Sequence, residues 1–458
     1  MSANGARAFR RAMLAGIGAM IAMVGVTGCF DRSELEEQAF LVTMMIDQKK
    51  AQGPITVTAR VAVPSKLSGS SGGSGGGGGG SSGADSGTPV VTASGRTLHE
   101  AIGLMNTGVE RTINLSHIAG VIFGEHAARL GLLSYVRPLV RFREFRRTLY
   151  LFVADGSVGD VILKDKPVLE TSVTRVIEDL HQTSERTGYA PSVQMHEFLG
   201  NLETPNEDPV LPILSYNKQV GSESQKSAGS PKHLKTDNVA GASPGTINRA
   251  GGNPVECVGT AVFRGDRMVG RLDGEETRYL QLLNGHSQRM VVILAAPLGP
   301  PGYLSLGVRY AEPAHIKVSV HQNPPTILIS QSFETELLGD ETAQSYVDNA
   351  SKSTLEHALA DYIAKREALV IHKVFVEMGA DPFHFFAYAR GQFPTYAAMS
   401  AYDWRKHLPD VKVTIKTEAT LRRMGTQLSP PVDLDAQLAK GVESPPPKAK
   451  GSKDASQT

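Results

Sequence analysis

Apolar positions along the chain change their period several times, and each change marks an element. The runs AFLVTMMID (39–47), PITVTARVAV (54–63), PVVTAS (89–94), IAGVIFG (118–124) and RTLYLFVAD (147–155) predict strands. Between them, Thr97-Leu98-His99-Glu100 is a capping-box signature, and Leu98, Ala101, Ile102, Met105 and Val109 follow helical spacing. EHAARLGLLSYVRPLV (125–140) and SVTRVIEDLHQTSER (172–186) are helical in the same way. VECVGTAVF (255–263) and RMVGRL (267–272) pair as a hairpin across Arg264-Gly265-Asp266. Four strand-like runs follow between 289 and 339, with clean alternation in the later ones, then a helical stretch from Glu341 to Met378 and a closing strand, KVTIKTEATLRRMG (412–425). The class is α+β, in about three mixed α/β domains, each a mainly antiparallel sheet with packed helices. The expected units are an N-terminal domain (29–200), a middle domain (201–286) and a C-terminal domain (287–426).

Two polar inserts interrupt this pattern. Residues 66–87, KLSGSSGGSGGGGGGSSGADSG, cannot bury a core, and strand-like sequence flanks them on both sides. Doubling a loop's length costs only about 0.6 kcal/mol, so the tract fits a hairpin loop better than a domain boundary. A second insert spans 217–253, and residues 427–458 form a proline- and lysine-bearing tail expected to be disordered.

The first 28 residues have a different character. Arg7, Arg10 and Arg11 precede a run of apolar or small residues from Met13 to Val26, too short to span about 30 Å of hydrocarbon comfortably. The run stops at Val26-Thr27-Gly28-Cys29, which resembles the bacterial lipobox with valine in place of its usual leucine. Residues 1–28 are therefore expected to be a lipoprotein signal peptide and Cys29 the acylated N-terminus. One acyl chain binds marginally, at about 0.8 kcal/mol per buried methylene, whereas two make a stable anchor.

Composition narrows the chemistry. Cleavage before Cys29 would take the formal charge from +1 to about −2, so nothing favours nucleic acid. Cys29 and Cys257 are the only cysteines, which excludes a disulfide framework, and Cys257 sits in an apolar strand as an expected inert thiol. The glycine tract satisfies G-x-S-x-G at Ser71 and Ser74, without the strand and helix that a nucleophile elbow needs. His99-Glu100 and His196-Glu197 begin like H-E-x-x-H, but Gly103 and Gly200 stand where the second histidine belongs. No catalytic, metal or cofactor residues are assigned. Arg137, Arg141, Arg143, Arg146 and Arg147 form one dense basic run: a surface for anionic headgroups, or more simply a solvated helix face with Glu144 as local partner.

Several motifs together resemble the Ger(x)C family, the C subunits of bacterial spore nutrient germinant receptors. Cys29-Phe30-Asp31-Arg32-Ser33-Glu34-Leu35 is similar to the family's G-C-W-D-R-x-E-[IL] start, with phenylalanine for tryptophan. Residues 95–101, GRTLHEA, resemble G-x-T-x-x-E-A, and Leu115-Ser116-His117 with VIFGEHAARLGL resembles L-x-H…I-I-F-G-E…G-[IL]. Residues 259–270, GTAVFRGDRMVG, match G-x-A-[VL]-F-[KR]-x-D-[KR]-[LM]-V-G and continue into Leu272, Glu276 and Thr277. Asp381-Pro382-Phe383, Trp404 and the final strand resemble the closing pattern, except that D-P-F-H-F-F replaces D-x-[FL]-G-[FL]-G. The resemblance covers nearly everything after Cys29 except the inserts and tail. It implies an extracytoplasmic lipoprotein on the spore inner membrane, working with membrane-embedded A- and B-type subunits; whether it binds nutrient itself is left open. Two rivals are an extracytoplasmic solute-binding lipoprotein and a lipid-anchored cell-wall hydrolase. The first lacks a two-lobed repeat and the second any recognisable metal or cysteine–histidine signature.

Overall fold

The structure, a computed structural model, describes residues 9–10, 13–17, 37–62, 89–223 and 242–424, less 143, 157, 166, 168–172, 287–288 and 343. The predicted signal peptide, Cys29, the glycine tract and the tail lie wholly or mainly outside the described residues.

A nine-stranded sheet occupies the first 272 residues, in the order β3-β2-β1-β5-β6-β7-β8-β9 with β4 beside β1. The strands are β1 (Gln38–Asp47), β2 (Ile55–Ala62), β3 (Val90–Gly95), β4 (Thr112–Asn114), β5 (Gly120–Gly124), β6 (Tyr150–Asp155), β7 (Val210–Tyr216), β8 (Val255–Arg264) and β9 (Arg267–Leu272). From β1 through β7 the neighbours run parallel, while both flanks are antiparallel. Parallel strands need crossovers, and these put helices on both faces. One face is packed by α1 (Leu98–Met105), α2 (Glu125–Leu130), α3 (Leu133–Arg141) and α6 (Met195–Glu203). The other carries α4 (Val158–Leu163) and α5 (Val173–Thr187). β5 is consequently buried at every position.

β2 and β3 pair antiparallel, Ile55 opposite Gly95 and Arg60 opposite Val90, so the glycine tract joins two adjacent strands. The expected boundary at 200/201 falls inside α6, and β7–β9 continue the sheet begun by β1–β6. The polar insert 217–253 is packed at both described ends: it opens with α7 (Lys218–Glu223), and Asn217 Nδ2 donates to Ile247 O and Glu256 Oε2.

The single helix expected over 125–140 is two. Gly131 separates them at φ +120°, where a side chain would meet Asp266 Oδ2 at 2.7 Å, and the Leu132 amide donates to Asp266 O. The hairpin aspartate thus satisfies the start of α3 from across the sheet.

The second sheet has five strands: β10 (Met290–Ala295), β11 (Tyr303–Tyr310), β12 (His315–Ser319), β13 (Thr326–Asp340) and β14 (Lys412–Arg423). β13 is its spine, antiparallel to β11 and β12 and parallel to β14. Against its inner face lie α8 (Gly274–Leu283) and α9 (Asn349–His372). The predicted helix start at Glu341 is eight residues early: Asp348 is the cap, accepting from the Ser351 amide at 2.9 Å. Leu355, Leu359 and Ile363 on α9 are core, as their spacing suggests.

Candidate functional site

The short turn between α6 and β7 ties the two sheets together by hydrogen bonds to residues 381–405. Asn206 is in the left-handed region at φ 63°, which turns the chain so that Glu207 and Asp208 enter the second body. Asp208 is fully buried and accepts from four donor atoms: the Gly265 amide (2.9 Å), the Asp381 amide (2.9 Å), and Arg405 Nη2 and Nε (2.7 and 3.1 Å). Asp381, itself buried, accepts from the Phe385 and Phe386 amides (3.3 and 3.1 Å) and from Trp404 Nε1 (2.9 Å). Burial pushes its carboxyl up to about 6, against the pull of these donors. Glu207 pairs with Arg390 and lies 3.4 Å from His384 Nδ1, and Asn206 Nδ2 donates to Tyr402 O. Buried charges are tolerated only when paired this thoroughly. The network is a lock, with few degrees of freedom left for chemistry.

Beside it opens a cleft of about 700 Å³, walled by α5, the 188–194 connection, α6, the end of α8 and residues 383–388. Its lining is mixed: His181, His196, His286 and His384 stand with Ser192, Gln281 and Asn284 among apolar side chains such as Val193, Leu280, Leu283 and Phe383. His181 stacks on Tyr150 at 4.8 Å and its Nδ1 meets Ser192 Oγ. Asn284 is held by Nδ2 donating to Pro382 O (3.0 Å), while its buried Oδ1 has no partner among the described residues. Such a lining suits recognition of a small polar molecule by hydrogen bonds.

The residues singled out in the sequence scatter elsewhere. Cys29, Ser71 and Ser74 lie outside the described residues. Cys257 is on β8, where burial pushes the thiol up to about 12; its neighbour is Ser184 Oγ at 3.9 Å, and no base activates it. Glu100 is held by Arg96, and Glu197 folds back onto the Gln194 amide as a cap, so neither near-match to H-E-x-x-H faces a metal. Among the described residues no group of three His, Cys, Asp or Glu is placed to hold a metal ion. Arg137, Arg141 and Arg147 converge on one groove, while Glu144 accepts from the Leu115 amide instead of pairing with them.

Two family models match the chain. One, described as the spore germination protein N-terminal domain, covers residues 31–216, and the other, "Spore germination B3/ GerAC like, C-terminal", covers 258–425. The chain belongs to the Ger(x)C family. YfkR of Bacillus subtilis (strain 168), named for spore germination, is 27% identical over 407 residues, spanning 87% of this chain and 94% of its own. Spore germination protein GerQC of Bacillus cereus is 21% identical over 333 residues, 71% of this chain and 82% of its own. The crystal structure of the GerBC protein aligns over 85% of this chain and 99% of that one, with a TM-score of 0.45 and 14% identity.

The Ger(x)C motif residues prove to be framework. Gly259 takes φ +87° with Leu272 O 2.7 Å from where a side chain would begin, and Asp266, Asp381 and Trp404 are the contacts already described. His384 stands where the family pattern has glycine, and it adopts the left-handed φ of 57° that glycine accepts most easily. Asp208, Glu207 and Arg405, which carry the lock, give no signal in the sequence beyond two acids before a proline.

Proposed function

We propose that this Ger(x)C protein is the lipid-anchored C subunit of a spore nutrient germinant receptor. It acts by binding and assembly with membrane-embedded A- and B-type subunits, on the outer, extracytoplasmic face of the spore inner membrane, to trigger germination. The observation that carries this reading is the match of both family models, covering the N- and C-terminal halves, downstream of a leader ending in Val26-Thr27-Gly28-Cys29. Among the described residues no helix is long and apolar enough to cross a membrane. Acyl chains on Cys29 would supply the membrane attachment and raise the local concentration of the two sheets beside their partners without any new contact.

Deletion of the protein tests the reading. Spores should form normally, fail to lose optical density in response to the specific nutrients their receptor serves, and still respond to a non-nutrient trigger. An unaltered nutrient response would refute it. The histidine-lined cleft favours a second reading, direct binding of a small solute, and the His181–Ser192 contact leaves a hydrolase to be tested. A folded Ser192→Ala protein should keep the nutrient response; loss of response would support the hydrolase instead.

A further inference from the structure

Three exposed arginines of the basic run share one groove. Arg137 and Arg141 on α3, with Arg147 just beyond it, border a groove of about 440 Å³ between α3 and α6. Leu133, Val140, Leu199 and Leu202 give it an apolar floor, and among the described residues Glu203 is the one acid that lines it. Among the described residues the three guanidinium groups make no hydrogen bond or ion pair. Glu144, the acid within the run, is turned away to the Leu115 amide at 3.1 Å.

The groove also sits close to where the chain enters the fold. Leu115 follows Asn114, whose Nδ2 donates to Gln38 Oε1 at 2.6 Å, and Gln38 is the first residue of β1. Cys29 lies nine residues before Gln38, a stretch that spans at most about 30 Å when extended. A protein held by Cys29 therefore keeps Gln38 within one short tether of the bilayer surface, and Gln38 is linked through Asn114 and Leu115 to Glu144, in the run that supplies Arg141 and Arg147 to the groove. Cations over an apolar floor complement an anionic headgroup with the start of its acyl chains; a soluble acid would leave the floor unused.

We infer that the groove between α3 and α6 docks anionic phospholipid headgroups of the membrane that carries the anchor, and so fixes the orientation of the protein on that membrane. This rests on the reading of Cys29 as the anchor. Each arginine near an anionic surface contributes roughly five-fold in affinity. Salt weakens the contribution within a screening length of about 8 Å.

The test places the full-length protein in nanodiscs of phosphatidylcholine alone or with phosphatidylglycerol, and follows hydrogen exchange of residues 133–141 and 195–203. Phosphatidylglycerol should slow exchange in both segments several-fold. High salt and the triple variant Arg137→Gln/Arg141→Gln/Arg147→Gln should abolish the effect, and the corresponding triple lysine variant should keep most of it. Unchanged exchange in β5 serves as the check on folding. Equal protection in neutral discs, protection by inorganic phosphate alone, or full protection of the glutamine variant would overturn the inference. Mass spectrometry of the same sample separates the two claims: acylated Cys29 without lipid-dependent protection defeats the groove alone, and protection on a protein with unmodified Cys29 defeats the anchor alone.

Discussion

The two sheets bury their side chains differently. The nine-stranded sheet is covered on both faces, and its parallel centre is apolar without interruption, as at Gly120–Gly124. Among the described residues the five-stranded sheet is covered on one face only, and its strands alternate: β10 exposes Val291 and Ile293 while burying Met290, Val292 and Leu294. Connection explains the difference. The parallel neighbours of the first sheet need several crossover helices, which lie on both faces. The second has one parallel pair, β13 with β14, whose crossover runs through α9 on a single face, and β10–β11 and β12–β13 are hairpins. The first sheet thus gives the molecule a closed body, and the second leaves an open face beside it.

If the lock at Asp208 is what makes these two bodies one, Asp208→Ala should be the most damaging single change. It strips a half-buried Arg405 and two amides of their acceptor, at a cost of roughly 3–5 kcal/mol. Denaturant unfolding should then resolve two transitions where the wild type shows one.

The second body holds a buried acid of its own. Glu367 on α9 is wholly enclosed, accepts from Gln331 Nε2 at 2.5 Å, and is pushed up to about 8 by burial. Between its ordinary 4.5 and 8 the unfolded carboxyl ionises while the folded one keeps its proton, so stability falls as pH rises through that window. Glu367→Gln should flatten this dependence and stabilise the protein at pH 8 by on the order of a few kcal/mol. Thermal melts from pH 4.5 to 8 read both effects.

A matched pair of substitutions probes the faces directly. Val121→Thr places a hydroxyl in the covered core of the first sheet and should cost about 1–3 kcal/mol. Val291→Thr makes the same change on the open face of β10 and should stay within about 0.5 kcal/mol. Similar losses at both sites would mean that the second sheet is covered in solution. A further small effect is expected at His384→Gly, which should relieve the left-handed backbone but forfeit the Glu207 contact, leaving stability within about 1 kcal/mol of wild type.

The sheet contrast also explains what could be read in the sequence. Alternation along β13 and the largely apolar runs in β1 and β5 are local signals, and the strands stand where those signals put them. The break at Gly131 was hidden because its cause, Asp266, comes from a distant hairpin. Asp208 and Arg405 are 197 residues apart, and nothing local in either marks a partner. Asp381 and Trp404 were conspicuous as motif residues, yet their task, holding one loop against another, needs the fold to be seen. The convergence of Arg137, Arg141 and Arg147 depends on α6 forming the opposite wall, which the run itself does not encode.

The central claim is that this Ger(x)C protein works as an anchored binding subunit, and Cys29→Ala tests it most directly. Spores carrying that variant should be compared with wild type for nutrient-triggered loss of optical density, with the protein in the inner-membrane fraction measured alongside. The expected result is depletion of the variant from that fraction and a weakened nutrient response, with the response to a non-nutrient trigger intact. Full nutrient response from spores whose protein lacks the cysteine would contradict it.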